Sequence, residues 1–285
     1  MNRLIKSPMN YTGNKWKLLP TLLELFPNNI SVFIDLFGGG ATVSLNVKAE
    51  HIVYNDIVPY VASMFSELQE ETLESALQKI NEVIETYNLN KVENTGFVKL
   101  REDYNNGNKP WQNFYALMQY SFNYNYRFNN NQEYNMPHGK DRSEFTKNTE
   151  EKFVKFMKRL KELDITFTVN DFRNVDLSEF DHNDFVYVDC PYLISTANYN
   201  DGKRGFTGWT EKEELDLLNL LDKLNEQGVR FGLSNVFELD GKSNDILKEW
   251  SKKYKVYHLD MDYSNSNYQK RNKNTNTDEV YICNY

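Results

Sequence analysis

The stretch from Ser31 to Asp56 limits the possible folds more than any other part of the chain. It reads "SVFID", then "LFGGGATVSLNV", and after three residues "HIVYND". Two short apolar runs each end in an acid, and a glycine turn with an apolar-periodic segment lies between them. This order predicts a strand over 31–35, a helix fed by the glycine turn and a strand over 51–56, the unit from which open parallel sheets are built. The pattern resumes later, with strands expected at 165–171 ("ITFTVND"), 184–189 ("DFVYVD") and 229–235 ("VRFGLSN"). Residues 210–228 combine an acidic first turn with a Gly stop and predict a helix. A second helix is expected at 243–254 with Ser243 as N-cap, and "KVYHLDMDY" with "DEVYICNY" as a closing antiparallel pair. The polar stretch 264–277 between those two has no periodicity and reads as a loop. At the other end, 14–26 reads as a short helix bent or split by Pro20.

The middle of the chain differs. Leu68, Leu73, Leu77, Ile80 and Ile84 recur at helical spacing and predict one apolar helix face. "WQNFYALMQYSF" (111–122) is another apolar helix candidate. "NYNYRFNNNQEYNMPHGKDR" (123–142) is rich in Asn and Tyr with turn residues at its centre, and reads as a polar hairpin. Helices and a hairpin between two α/β halves suggest a grafted recognition module.

The 285 residues suffice for one large domain or a domain with a sizeable insertion. No apolar run is long enough to span a membrane, and the N-terminus lacks the apolar core of a secretory peptide, so a cytoplasmic protein is expected. The two cysteines, Cys190 and Cys283, make neither a disulfide framework nor a zinc site, and no metal is expected. Cys190 at a strand end could be a nucleophile, but no histidine stands near it in sequence to activate it. A net charge of −8 argues against a nucleic-acid partner when taken alone. The basic residues are grouped, however: Arg3, Lys6, Lys15 and Lys17 without an acid, an enriched stretch from Lys140 to Arg159, and Lys270, Arg271 and Lys273. Local charge decides phosphate contact.

Four acids, Asp35, Asp56, Asp171 and Asp189, sit at the ends of apolar strands, where open α/β sheets bind their ligands. The turn Phe37–Gly40 permits close backbone approach but is neither G-x-G-x-x-G nor a Walker loop. Asp56 ends the second strand, the usual place for an acid that holds ribose hydroxyls. A nucleoside ligand without phosphates fits this better than a dinucleotide.

"YTGNKWKLLP", "FIDLFGGGATVSLN", "YND" and "DFVYVDCPY", in this order, resemble the Dam family of DNA adenine-N6 methyltransferases, with the T-even bacteriophage member as the nearest match. The resemblance extends to "LREDYN" (100–105), to 217–235, to 246–254 and to "TDEVYICN" (277–284), and so covers most of the chain. It implies a Rossmann-like, seven-stranded S-adenosylmethionine-dependent methyltransferase sheet, formed by 1–58 and 150–285. Residues 59–149 would then be an inserted helical target-recognition domain carrying a β-hairpin.

Carried over by position, Tyr11 and Lys15 contact the donor, with Lys15 suited to its carboxylate. Asp35, Phe37 and Gly38, Gly39 and Gly40 lie along its methionine part, Asp56 takes the ribose hydroxyls, and Asp171 and Phe172 flank its adenine. In "DCPY", the Asp189 carboxylate and the carbonyl of residue 190 accept the N–H groups of the target amine, Pro191 aims that carbonyl, and Tyr192 stacks on the base. The family has Asp-Pro-Pro-Tyr here. Cys190 keeps the carbonyl but loses a fixed φ, which leaves open a DNA-binding homologue with weak or absent catalysis and places a thiol beside the substrate as an oxidation or alkylation liability. The partner implied is double-stranded DNA, with the target base flipped out of the helix and GATC, the family's usual site, as the expected sequence. Arg127 and Asn129 match the family's "R-x-N", and Pro137 with Gly139-Lys140 its basic corner. Asp141 stands where the family has a base, so that Arg142 would serve in its place.

Overall fold

The computed structural model describes residues 4–11, 13–195, 208–259 and 277–285. The apolar runs form the parallel strands β1 (Val32–Asp35), β2 (His51–Asn55), β3 (Ile165–Thr168), β4 (Phe185–Val188) and β5 (Arg230–Leu239). A two-residue β6 (Lys242–Ser243) returns against β5, followed by β7 (Lys255–Leu259) and β8 (Thr277–Cys283). The order across the sheet is β3-β2-β1-β4-β5-β8-β7, with β6 off this path. β8 runs antiparallel between β5 and β7. The chain places β2 and β3 on one side of β1 and β4 and β5 on the other. Its winding therefore reverses between β1 and β4, and such a reversal opens a crevice beyond the carboxyl ends of the strands. β1 ends at Asp35, and β4 runs directly into Asp189.

A strand covered on both faces must be apolar on both. All four residues of β4 are buried. Phe185 and Tyr187 belong to one apolar cluster with Phe33, Tyr54, Phe65 and Phe156, whereas Val186 and Val188 belong to a second with Leu217, Leu221 and Phe231. The first cluster also takes in α1 (Leu19–Leu25), α2 (Pro59–Glu70), α3 (Leu73–Thr86), α4 (Thr95–Asn106), α5 (Trp111–Tyr120) and α6 (Lys147–Glu162). The second holds α7 (Glu211–Gln227) and α8 (Asp245–Ser251). α2 to α6 all fall between β2 and β3 in the chain, with α2, α3 and α4 packed on α5 and α2 also on β3.

α7 shows the local logic most fully. Thr210 and Glu213 form a capping box, Leu217, Leu221 and Leu224 bury one stripe, and Gly228 ends the helix in the left-handed region at φ 84°.

Several expectations are corrected. The first helix starts at Leu19 with Pro20 in its opening turn, where the missing N–H is no loss; residues 14–18 precede it. No helix follows the glycine turn. Ala41 is left-handed (φ 58°), and Asn46 bonds the backbone of Ile5 and Thr42, which ties residues 41–47 into an irregular turn. The apolar face from Leu68 to Ile84 is divided between two helices, because Thr72 caps a new start by accepting from the Ser75 amide. The cap of α8 is Asn244, which accepts from the Leu247 amide, and Ser243 instead bonds Asp245.

The polar stretch after α5 doubles back through two isolated antiparallel bridges, Ser121–His138 and Phe128–Tyr134. Its tip is closed by Asn129, whose side chain accepts from the amides of Asn131 and Glu133, with Gln132 left-handed at φ 62°. The expected loop at 264–277 and the basic residues Arg3, Lys270, Arg271 and Lys273 lie outside the described residues, apart from Thr277 at the start of β8. Among the described residues no helix is long and apolar enough to cross a membrane, and no group of His, Cys, Asp or Glu is arranged to hold a metal ion.

Candidate active site

The crevice at the β1/β4 reversal has a volume of about 1050 Å³ counted to its open mouth. Its floor is the glycine turn. A side chain at Gly38 would bring a Cβ within 2.2 Å of the Tyr54 ring, and Gly39 (φ 48°) is closed over by Tyr11. Tyr54 donates its hydroxyl to the Gly39 carbonyl at 2.7 Å. Asp56 accepts from the Gly39 amide through one oxygen and from the Val58 amide through the other, both at 2.8 Å. The second strand-end acid therefore also fixes the shape of the turn.

Two buried acids, Asp35 and Asp56, and the partly buried Asp189 face this floor. Asp35 is 2% exposed and accepts from Ser44 Oγ at 2.5 Å. Burial pushes its carboxyl up to about 7, Ser44 opposes the rise, and the nearby Asp189 and Asp56 add to it. Asp189 makes a 2.6 Å ion pair with the buried Lys15. Burial raises the Asp189 carboxyl above its ordinary range, with Lys15 opposing. Burial by itself would lower the Lys15 ammonium, but the negative field of Asp189 and Glu279 outweighs that and holds it above its usual value.

The resemblance expected Lys15 at the donor carboxylate. It lines the crevice, with its ammonium on Asp189 and 5.2 Å from the centre of the Tyr192 ring. Tyr11, Asp171, Phe172, Cys190 and Pro191 also line the crevice, whereas Tyr192 stands beside it and reaches Glu279 Oε1 at 3.4 Å. Asp171 is gripped by Arg173 at 2.7 and 2.8 Å, which lowers its pKa. Phe37 and Phe172 meet at 5.4 Å and form an aromatic wall. Cys190 is 2% exposed, and its sulfur lies 3.6 Å from Asn235 Nδ2 in the second apolar cluster. Burial pushes the thiol well above its usual range, so the expected oxidation or alkylation liability is corrected: the sulfur is neither accessible nor a thiolate.

Sequence reasoning missed three residues. Trp209 completes the aromatic wall at 5.7 Å from both Phe37 and Phe172, and a lone Trp before a helix gives no signal. Glu214 is 0% exposed although it lies in an acidic first turn that sequence reads as solvated. Glu279 is buried within β8, and its parity with the apolar Tyr281 and Cys283 could have revealed it.

The doubled-back segment joins the crevice rim through Asn10, which donates to the Asn123 carbonyl at 2.8 Å, and through the Tyr11–Tyr126 ring contact at 6.2 Å. Arg127, Pro137, Lys140 and Arg142 are exposed along it. Arg127 is oriented by Asn135, through its side chain at 2.8 Å and its carbonyl at 2.9 Å. Asn129 is occupied in closing the tip, where it also bonds Glu133 at 2.7 Å. Phe122 is 40% exposed, with Arg142 6.0 Å from its ring centre.

A sheet that reverses its winding above strand-end acids, with an aromatic wall beside them, defines an α/β protein with an open crevice at the switch point. Residues 11–265 match the family described as D12 class N6 adenine-specific DNA methyltransferase, and the chain belongs to that family. It is 44% identical over 285 residues to modification methylase StsI of Streptococcus sanguinis, covering 99% of this chain and 43% of that protein. To type II methyltransferase M.FokI of Planomicrobium okeanokoites it is 45% identical over 284 residues, again covering 43% of the relative. A DNA adenine methylase of Haemophilus influenzae is 23% identical over 209 residues, covering 72% of this chain and 68% of that protein. The chain thus spans less than half the length of the first two relatives.

Proposed function

We propose that this chain transfers a methyl group from S-adenosylmethionine to N6 of adenine in duplex DNA, with the target base flipped into the crevice. The observation that carries the reading is the position of Asp189 at the switch point, beside Pro191 and Tyr192 and facing the aromatic wall. The crevice residues fit the donor. Phe37 and Phe172 offer an apolar surface for its adenine, Asp56 is an acceptor for ribose hydroxyls, and Asp35 and Asp189 offset the positive charges of its ammonium and sulfonium. The donor supplies an electrophilic methyl on a positively charged sulfur.

The protein supplies orientation and electrostatics. An exocyclic amine is a poor nucleophile while its lone pair is shared with the ring. Asp189 and the carbonyl of residue 190, accepting its two N–H groups, favour the tetrahedral nitrogen and hold it in line for attack. The N–C bond forms as the C–S bond breaks, S-adenosylhomocysteine leaves with the electron pair, and the methylated nitrogen then gives up its extra proton to solvent. Lys15 occupies Asp189 at 2.6 Å, and the arriving amine takes over that acceptor. The exposed face of Arg127, Lys140 and Arg142 reads the duplex, and Phe122 fills the stack where the base leaves. Residues 59–149 form the recognition module and 1–58 with 150–285 the catalytic part.

GATC is the first sequence to test. Greater identity to type II modification enzymes than to the adenine methylase makes another short adenine-containing site the alternative outcome. The test is methyl transfer from labelled donor to a duplex containing GATC and to single-base variants. Transfer confined to one sequence fixes the site; donor and duplex bound without transfer would overturn the catalytic reading.

A further inference from the structure

We propose that Glu214 is a positioning residue for the methyl donor, acting through Trp209; this rests on the donor reading above. A carboxylate in the first turn of a helix normally stands in water, where it favours the helix dipole. Glu211 does so, whereas Glu214 is 0% exposed. Burying a carboxylate is unfavourable unless both oxygens are bonded, and here both are. One accepts from Trp209 Nε1 at 2.6 Å and the other from Asn244 Nδ2 at 2.8 Å. Asn244 is itself buried and fixed, because it caps α8.

The carboxylate therefore bridges the start of α8 to the indole and sets the ring's rotation. That ring is the third member of the crevice wall, edge-on to Phe37 (73°) and tilted on Phe172 (40°). Three touching rings make one continuous aromatic surface on which the adenine of the donor can lie, and the shape of that surface depends on where the indole is held. Glu213, one residue earlier, does something different, bonding the Thr210 amide in the capping box. Capping and indole positioning are thus divided between adjacent acids, and Glu214 is not needed to start the helix.

The experiment is titration of S-adenosylhomocysteine, followed by calorimetry and tryptophan emission, on the whole protein and on Glu214→Ala, Glu214→Gln and Trp209→Phe. Loss of a charge-assisted hydrogen bond that orients the indole predicts affinity reduced about tenfold to thirtyfold in Glu214→Ala. Turnover at saturating donor and KM for DNA stay within about twofold, since no group touching the reacting atoms changes. Glu214→Gln keeps one acceptor oxygen for the indole N–H but turns its NH2 toward the Asn244 NH2, and so recovers only part of the affinity. Trp209→Phe retains an aromatic ring but loses the N–H, weakens binding by a similar factor and removes the ligand-dependent quench of emission. Combined with Glu214→Ala it is no worse than the poorer single variant.

Wild-type affinity in Trp209→Phe, or in a folded Glu214→Ala, overturns the inference, as does an equal loss of DNA affinity in Glu214→Ala. Should Glu214→Ala fail to fold, Trp209→Phe alone decides. Failure of the unaltered protein to bind S-adenosylhomocysteine would instead overturn the donor reading, and this inference with it.

Discussion

The crevice and the doubled-back segment beside it are built on opposite terms. In the crevice Asp35 and Asp56 are buried, the glycine turn is locked by Tyr54, Tyr11 and Asp56, and Phe37, Phe172 and Trp209 pack into one aromatic wall. The segment from Ser121 to Ser143 is anchored by the buried Phe128 and Tyr134 and by Asn105 and Arg101 of α4, closes its tip with Asn129, and presents exposed Arg127, Lys140 and Arg142. The first arrangement suits one small ligand that must be aligned for chemistry, because a preorganised site needs little rearrangement at the moment of reaction. The second suits a long polyanion, where exposed cations meet phosphates and base edges. Asn10 and Tyr11 link the two regions, so that loading of the glycine turn and placement of the segment share residues.

The sharpest way to break this division is Asp189→Ala. Methyl transfer should fall by about a thousandfold or more, as when a group that stabilises only the transition state is removed. Duplex affinity, measured by anisotropy, should remain within about threefold if the segment reads DNA independently of the carboxylate. Equal losses in both would merge the two regions.

Arg127→Ala is the converse. It should weaken the cognate duplex by about tenfold to a hundredfold and relax discrimination at one base, as loss of a bidentate contact does, while leaving S-adenosylhomocysteine affinity unchanged.

Protonation separates the regions more gently. Asp35 is pushed up to about 7, so that it is largely protonated at pH 6 and ionised at pH 8. The donor is cationic and favours the ionised form. Its affinity should therefore rise by up to about tenfold over that interval, with proton release visible when the titration is repeated in buffers of different ionisation enthalpy. Asp35→Asn should flatten the profile. The sign for folding is opposite. A carboxyl raised in the folded state lends stability below its unfolded value near 4, and loses it as pH rises to about 7.

Cys190→Ala should change turnover least, by less than about threefold, since the backbone carbonyl is retained. The unaltered thiol should resist iodoacetamide in the native protein and react after denaturation, as mass spectrometry would show.

The sequence was informative where physical periodicity and position agree. Alternating apolar runs ending in acids located β1, β2 and β4, and the acids that close β1 and follow β4, Asp35 and Asp189, line one crevice. It was less informative where tertiary contacts decide local structure. Residues 41–47 have a helical pattern, but a left-handed Ala41 and the bonds of Asn46 to Ile5 hold them as a turn, and nothing local announces a partner so far away. The cap of α8 is Asn244 and not Ser243, because Asn244 accepts from the Leu247 amide while the Ser243 hydroxyl is taken up by Asp245. Trp209 and Glu214 were invisible because their significance lies in a hydrogen bond across a helix start, not in spacing. Lys15 was legible as a site residue, but its ion pair with Asp189 depends on how residues 13–18 turn before α1.

A crystal structure of the protein with S-adenosylhomocysteine bound is the most direct measurement. The adenine is expected against Phe37, Phe172 and Trp209, the ribose hydroxyls at Asp56 and the sulfur facing Asp189. Ligand bound elsewhere with the crevice vacant, or the ligand reversed so that its adenine lies at Asp189, would contradict this arrangement.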